Sequence, residues 1–246
     1  MAVADTLIAL NDAKNDMKSA LVEKGVTPIG GLSTYADAIR AIGNAEWTPP
    51  NGIKFNQSTC KTIPLFDSSH MTDFYQMFRD CGQLVMLPDI DTSSAETMEQ
   101  MCMYCFALQS FRSLNTDNVT TMGSMLFNCT TLTDVPLLNA RNTTSVMSIC
   151  TGCYELAEIG GFAELGFCQT KLNDKGKNIV LQTDSAFKGC KKITRQSVLN
   201  IFNSMYDVRG TGNNPELKFE KEVIARLEDE DIAIATNKGW IVGSYA

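Results

Sequence analysis

The chain has 246 residues, 44% of them apolar, and no apolar run approaches the ~18 residues that a membrane span needs. Its length fits one large domain or two small ones, and 17 Gly with 7 Pro are too few for a collagen-like or low-complexity chain. A net charge of −7 argues against a generic nucleic-acid binder, and the excess sits in residues 51–170, where 5 basic side chains accompany 12 acidic ones.

The opening MAVADTLIAL carries Asp5 and no basic n-region, so it does not read as a secretory signal, and cytosolic synthesis with reduced cysteines is expected. Residues 3–24 predict an amphipathic helix. Val3, Leu7, Leu10, Lys14, Met17 and Leu21 follow heptad spacing, with Lys14 as the one polar interruption. That stripe serves either self-association or packing on the rest of the chain. Ser33 to Ile42 predicts a second short helix with Ser33 as its N-cap. Trp47-Thr48-Pro49-Pro50-Asn51-Gly52 reads as a junction, and Ile53-Lys54-Phe55 as a first strand acting as an N-terminal cap. The resulting division is an attachment or oligomerisation segment at 1–46, a repeat domain at 47–170 and a C-terminal cap at 171–246.

A repeat then dominates the chain. Cys81, Cys105, Cys129 and Cys153 recur every 24 residues. In phase with them run Leu84, Leu108, Leu132 and Leu156, then Leu87, Phe111, Val135 and Ile159, then Ile90, Leu114, Leu138 and Phe162. Ahead of each cysteine stand Met77, Met101, Met125 and Ile149, and before those Phe74, Met98, Met122 and Val146. A fixed period of this length predicts stacked units that share one core. Phe74, Met77, Phe78 and Cys81 have helical spacing, Leu84 to Ile90 reads as extended, and Asp91-Thr92-Ser93-Ser94 as a polar turn. Strands of successive units should pair in parallel, ~4.8 Å apart.

Cys102 and Cys150 create two C-x-x-C pairs, a pattern that also suits zinc. The repeat assigns them instead to an apolar column with Phe78 and Leu126. It also sets the pairs two units apart, roughly 10 Å, too far to share one tetrahedral metal. Cys60 and Cys168 fall outside the columns. The single histidine, His70, is read as a turn residue, and no base for a thiol nucleophile stands out, so no enzyme, metal or cofactor is expected. Between the buried columns, Val85 with Met86, Gln109 with Ser110, Thr133 with Asp134, and Ala157 with Glu158 should be exposed. Gln109, Ser110, Thr133 and Asp134 are the candidate ligand face.

Beyond the repeats, Lys171 to Lys177 reads as a polar loop and Ile179-Val180-Leu181 as a strand. Ala186 to Ile193 is a degraded repeat around Cys190. Thr194 should N-cap a helix through Met205, with Val198, Leu199, Phe202 and Met205 on one face. Arg209 to Asn214 reads as a loop between helices, residues 216–227 and Glu228 to Thr236 as helices, and Gly239 to Val242 as a closing strand.

The unit M-x-x-M-F-x-x-C-x-x-L-x-x-L, carried by Met77 to Leu84, Cys102 to Leu108 and Leu126 to Leu132, resembles the BspA-type leucine-rich repeat. The resemblance covers residues 70–165. It implies an α/β repeat fold, a right-handed leucine-rich-repeat solenoid of 24-residue units (short helix plus strand), with an N-terminal helical segment and an α/β cap. The family's members are mostly adhesion or recognition modules. Thr6 to Lys18 with Tyr35-Ala36-Asp37-Ala38-Ile39, and Asp231 to Trp240, are similar to the openings and endings of structural proteins in phages of gut bacteria, crAss-like phages included. These resemblances imply a virion structural protein, a head or tail fibre or decoration, made in the host cytoplasm. They imply a homo-oligomer, a trimer by analogy with fibres, bound to other virion proteins. A host cell-surface glycan or protein would be its external partner, with neither nucleic acid nor membrane bound. The alternative is a bacterial cell-surface adhesin built on the same repeat.

Overall fold

The computed structural model describes residues 49–55, 61, 63 and 66–246. The heptad stripe from Val3 to Leu21, the helix expected from Ser33, Trp47 and Cys60 lie outside the described residues.

Successive units sit in register. Parallel bridges link Asp73 to Thr97, Thr97 to Thr121, Thr121 to Ser145 and Ser145 to Gln182. The last step is longer because an insertion separates Ser145 from Gln182, yet the pairing resumes unchanged. In the segment expected as a short helix, alternate N–H groups cross to the next unit. Phe74 donates to the Thr97 carbonyl at 3.0 Å, Gln76 to Glu99 at 3.1 Å, Phe78 to Met101 at 2.8 Å and Asp80 to Met103 at 2.8 Å. The intervening Met77, Arg79 and Cys81 donate back to carbonyls three residues earlier. The segment is therefore a run of consecutive turns, and each later unit repeats it. Val146, Ser148, Cys150 and Gly152 donate in the same way to Gln182, Asp184, Ala186 and Lys188.

This corrects the helix expectation, and the reason is geometric. A helix spends its N–H groups along its own axis, whereas here every second one must point sideways. The backbone achieves this by entering the left-handed region at every fourth residue. Gln76 (φ 58°), Asp80 (63°), Gln100 (57°), Tyr104 (65°), Ser124 (54°) and Asn128 (57°) all do so. Such residues cost about 1–2 kcal/mol each outside glycine, and the bonds between units offset it.

The other side of each unit is extended, and most of its bonds run the opposite way, with Leu138 and Ala140 donating forward to Gly161 and Ala163. Gln109 donates back to the Val85 carbonyl, Thr133 to Gln109 and Ala157 to Thr133, each at 3.0 Å. Strands β1 (Asp134–Val135) and β3 (Glu158–Ile159) pair in parallel, as do β2 (Leu138–Asn139) and β4 (Phe162–Ala163). Side chains close the polar turns: Asp67, Asp91, Asn115 and Asn139 each accept the N–H two residues on, at 2.8–3.0 Å.

All six apolar columns are buried, with Ile90 partly so. Each fully buried Leu, Phe or Met contributes about 1.5–3 kcal/mol. Cys102 and Cys150 occupy the Phe78–Leu126 column as expected, and Phe187 continues it. The repeat cysteines also act as donors. The thiols of Cys105, Cys129, Cys153 and Cys190 reach the carbonyls of Phe78, Cys102, Leu126 and Cys150 at 2.9–3.2 Å. A further column, Ser68, Thr92 and Thr116, is buried and polar. Ser68 Oγ accepts the Asp91 N–H, Thr92 Oγ1 donates to the Asn115 carbonyl and Thr116 Oγ1 accepts the Asn139 N–H, all at 2.8–2.9 Å.

Both ends of the ladder are covered. In later units the N–H before the bridge donates to the unit below, as Glu96 does to the Thr72 carbonyl at 2.8 Å. At Thr72 and Asp73 it is Asn51 whose Oδ1 accepts both N–H groups, at 3.0 and 2.9 Å. Asn51 Nδ2 donates to Thr72 Oγ1 at 3.0 Å. Phe55 donates to the Met77 carbonyl at 2.6 Å and stacks on Phe78, so Ile53 to Phe55 docks on the first unit without forming a strand. At the other end the Gly189 N–H meets Glu220 Oε1 at 2.7 Å.

The C-terminal part differs from expectation in four places. Ile179 to Leu181 is not a strand; the insertion folds back as a turn bridged antiparallel at Leu172 and Asn178. Residues 216–227 are not one helix but β5 (Glu216–Phe219) and a short helix, Lys221–Ile224. Strand β5 pairs in parallel with β6 (Ile241–Ser244), because alternation buries Leu217 and Phe219. Arg209 to Asn214 therefore joins a helix to a strand. Helix α1 (Arg195–Ser204) is N-capped by Thr194, but Ile201 is buried where Leu199 is only partly so.

The helix Asp229–Thr236 follows as expected. Lys238 Nζ closes the end of α1, donating to the Phe202, Asn203 and Met205 carbonyls at 2.8–3.0 Å. Trp240 is buried with its Nε1 on the Tyr206 carbonyl at 2.9 Å. One apolar core runs from Phe66 to Trp240.

Asn51→Ala should lower stability by about 0.5–1.5 kcal/mol in urea melts, because it leaves the two N–H groups to water, while Asn51→Asp keeps the acceptor and most of the stability. Arg195 holds the buried Asp231 through two bonds, at 2.7 and 2.9 Å, which with the Glu228 N–H keeps the carboxyl below its usual range. A carboxyl whose folded pKa lies below its unfolded one stabilises above about pH 4 and loses that contribution on acidification. Asp231→Asn should therefore be less stable at pH 7, and its difference from the parent should shrink in melts taken from pH 5 down to pH 2.

Candidate functional site

The expected ligand face lies on the extended side of the ladder. Gln109, Thr133 and Glu158 are exposed, Ser110, Asp134 and Ala157 partly buried, and Val85 and Met86 exposed. The ladder brings Gln109 and Thr133 together: both the N–H and the hydroxyl of Thr133 donate to the Gln109 carbonyl. The same hydroxyl lies 3.0 Å from Asp134 Oδ1, and Asp134 pairs in register with Glu158. Helix α1 closes the far end, with Thr194 N–H and Ser197 Oγ both on the Ala157 carbonyl at 3.0 Å and Ser197 Oγ 3.2 Å from Glu158 Oε2. The Thr133 hydroxyl is thus engaged in the ladder, and Gln109 and Glu158 are the other exposed polar side chains of this face.

At the polar turns a hollow is lined by Asn115, Asp117, Leu137 and Asn139. Its amides serve the turns themselves: Asn139 Nδ2 donates to Asp117 Oδ1 at 2.6 Å and Asn142 Nδ2 to the Asp117 carbonyl at 2.7 Å. A second hollow crosses the consecutive-turn side of the units around Cys129, Cys153 and Cys190, lined by Phe127, Asn128, Gly152, Tyr154 and Gly189. Sequence reading did not single it out.

The cysteines are placed for packing. The described cysteines are buried, and Cys102, Cys105, Cys129, Cys150, Cys153, Cys168 and Cys190 are free thiols. Burial pushes the thiols of Cys102, Cys129 and Cys190 well above the usual range, and the hydrogen bond with Cys153 and burial do the same at Cys150. Cys168, outside the columns, lies buried in the short 3-10 helix Phe167–Thr170, and burial raises it to about 11. His70 Nε2 lies 3.0 Å from the Pro49 carbonyl at the covered first end. Among the described residues no three His, Cys, Asp or Glu side chains are grouped as a metal site would require.

Residues 51–159 match the family described as "Mycoplasma protein of unknown function, DUF285". The match spans the covered first end and the four regular units. No curated protein and no solved structure matches the chain.

A thiol at about 11 carries about a hundredfold less thiolate at pH 8 than one at its ordinary value. Cys168, and with it Cys102, Cys129, Cys150 and Cys190, should therefore label with a disulfide reagent at least about a hundredfold more slowly in the native protein than in denaturant, as read residue by residue by mass spectrometry.

Proposed function

We propose that this chain is a structural protein of a bacteriophage virion, a fibre or decoration of head or tail. On this reading its units form a right-handed leucine-rich-repeat solenoid that holds a recognition surface toward the host. The observation that carries the reading is the ladder of backbone bonds and buried columns, covered at both ends. Its stability resides in main chain and core, so the outward side chains are left to serve contact with partners. The phage-like opening and ending of the sequence supply the virion context. The heptad stripe at Val3, Leu7, Leu10, Lys14, Met17 and Leu21 supplies homo-oligomerisation, with a trimer as the fibre-like state and other virion proteins as neighbours. The external partner is a host-surface glycan or protein, and the protein works without catalysis or cofactor.

A second reading is a bacterial cell-surface adhesin built on the same repeat; the matched family, of unknown function, is described from a cellular bacterium. Proteomics of density-banded phage particles and of washed host envelopes from cultures carrying the gene separates the two. The virion reading expects the chain in the particles at a fixed ratio to the major capsid protein. Its presence in envelopes alone would establish the adhesin reading instead.

A further inference from the structure

The hollow across the last three units has a construction that the extended face lacks. The fourth-residue left-handed positions carry side chains at Asp80, Tyr104 and Asn128, but glycine at 152 (φ 77°) and 189 (φ 87°). A Cβ at Gly152 would meet Asn128 Oδ1 at 1.9 Å, and one at Gly189 would meet Tyr154 Cε1 at 3.2 Å. The two glycines thus lower the floor, let Asn128 fold over it and seat the edge of the Tyr154 ring against it.

Tyr154 stays 55% exposed. Phe106 occupies the same position two units earlier and is 48% exposed, braced by Tyr104 at 5.9 Å between ring centroids. Two units correspond to roughly 10 Å at strand spacing. Thr130 lies between them, its hydroxyl on the Phe106 carbonyl at 3.2 Å. The floor is rimmed by the polar side chains of Asn128, Ser148 and Ser185, and Lys188 is the one charged group in the lining.

Exposed aromatic rings that alternate with small hydroxyl and amide groups, at the separation of every second ring in an extended sugar chain, match one ligand chemistry. Sugar rings offer apolar C–H faces to aromatic rings and hydroxyls at their edges, and an apolar body with polar groups at the rim is what this hollow accepts. We infer that the hollow at Tyr154, together with the exposed Phe106 ring outside its lining, binds a linear, neutral, β-linked oligosaccharide. One sugar stacks on Tyr154 over the glycine floor, where Ser148 and Ser185 bond its hydroxyls, another stacks on Phe106, and Asn128 and Thr130 bond the hydroxyls between. This site is separate from Gln109, Ser110, Thr133 and Asp134, and it holds whether a virion or a cell carries the chain.

The test is titration calorimetry with saturation-transfer NMR on the full chain, using linear β-linked di- and hexasaccharides of glucose, xylose and N-acetylglucosamine. At least one hexasaccharide should bind, about tenfold more tightly than its disaccharide, because only the longer chain reaches both rings. Tyr154→Ala and Phe106→Ala should each weaken it about tenfold with the thermal melt unchanged, both residues being exposed, and Tyr154→Phe should retain binding. Gly152→Asn, which refills the floor with the residue present at 128, should abolish it. No saturation transfer from any of the six sugars would overturn the inference. So would binding that Tyr154→Ala leaves intact, or a Tyr154-dependent self-association that shows a second copy covering the hollow.

Discussion

The architecture depends on where every second N–H of the consecutive-turn segments points. Phe74, Gln76, Phe78 and Asp80 hand their hydrogen bonds to the next unit, and four more units repeat or receive that pattern. A helix in the same place would satisfy itself and leave neighbouring units joined by side-chain packing alone. Directing the bonds outward makes the backbone the joint. The left-handed residues are its conformational cost, and the buried columns supply the apolar burial that carries it.

The joint explains the cysteines. The carbonyls of Phe78, Cys102, Leu126 and Cys150 already accept one N–H from within their turn. A buried thiol from the next unit adds a weak second donor without the desolvation penalty of a hydroxyl. The side chain is small, apolar and able to donate, and cysteine combines these. Hydroxyls appear instead at Ser68, Thr92 and Thr116, where the polar turns present groups that need a full-strength partner.

The columns were legible because a residue type that recurs in phase reports burial directly. The direction of the N–H groups was not. Consecutive turns and a helix both place Phe74, Met77, Phe78 and Cys81 inward, so side-chain spacing cannot separate them. The hydroxyl column escaped notice because buried polar residues look like turn residues. Strand β5 escaped because Glu-Leu-Lys-Phe is short and runs straight into a helical sequence. Exposure of Gln109 and Thr133 followed from the gaps between columns. The Phe106 and Tyr154 pair did not, since its column reads glycine, phenylalanine, threonine and tyrosine, with no shared chemistry to draw attention.

Bonds between units run in both senses, mostly forward from the consecutive turns and mostly backward from the extended segment. In an α-helix the peptide dipoles add, and charge accumulates at the termini as the helix lengthens. Here the two rows oppose each other, so a unit can be gained or lost without building up an axial field. Each terminus consequently displays donors beside acceptors rather than one kind alone. At the first end Asn51 Oδ1 takes two of the donors and the Phe55 N–H meets the Met77 acceptor, and at the last a carboxylate, Glu220, takes the Gly189 N–H.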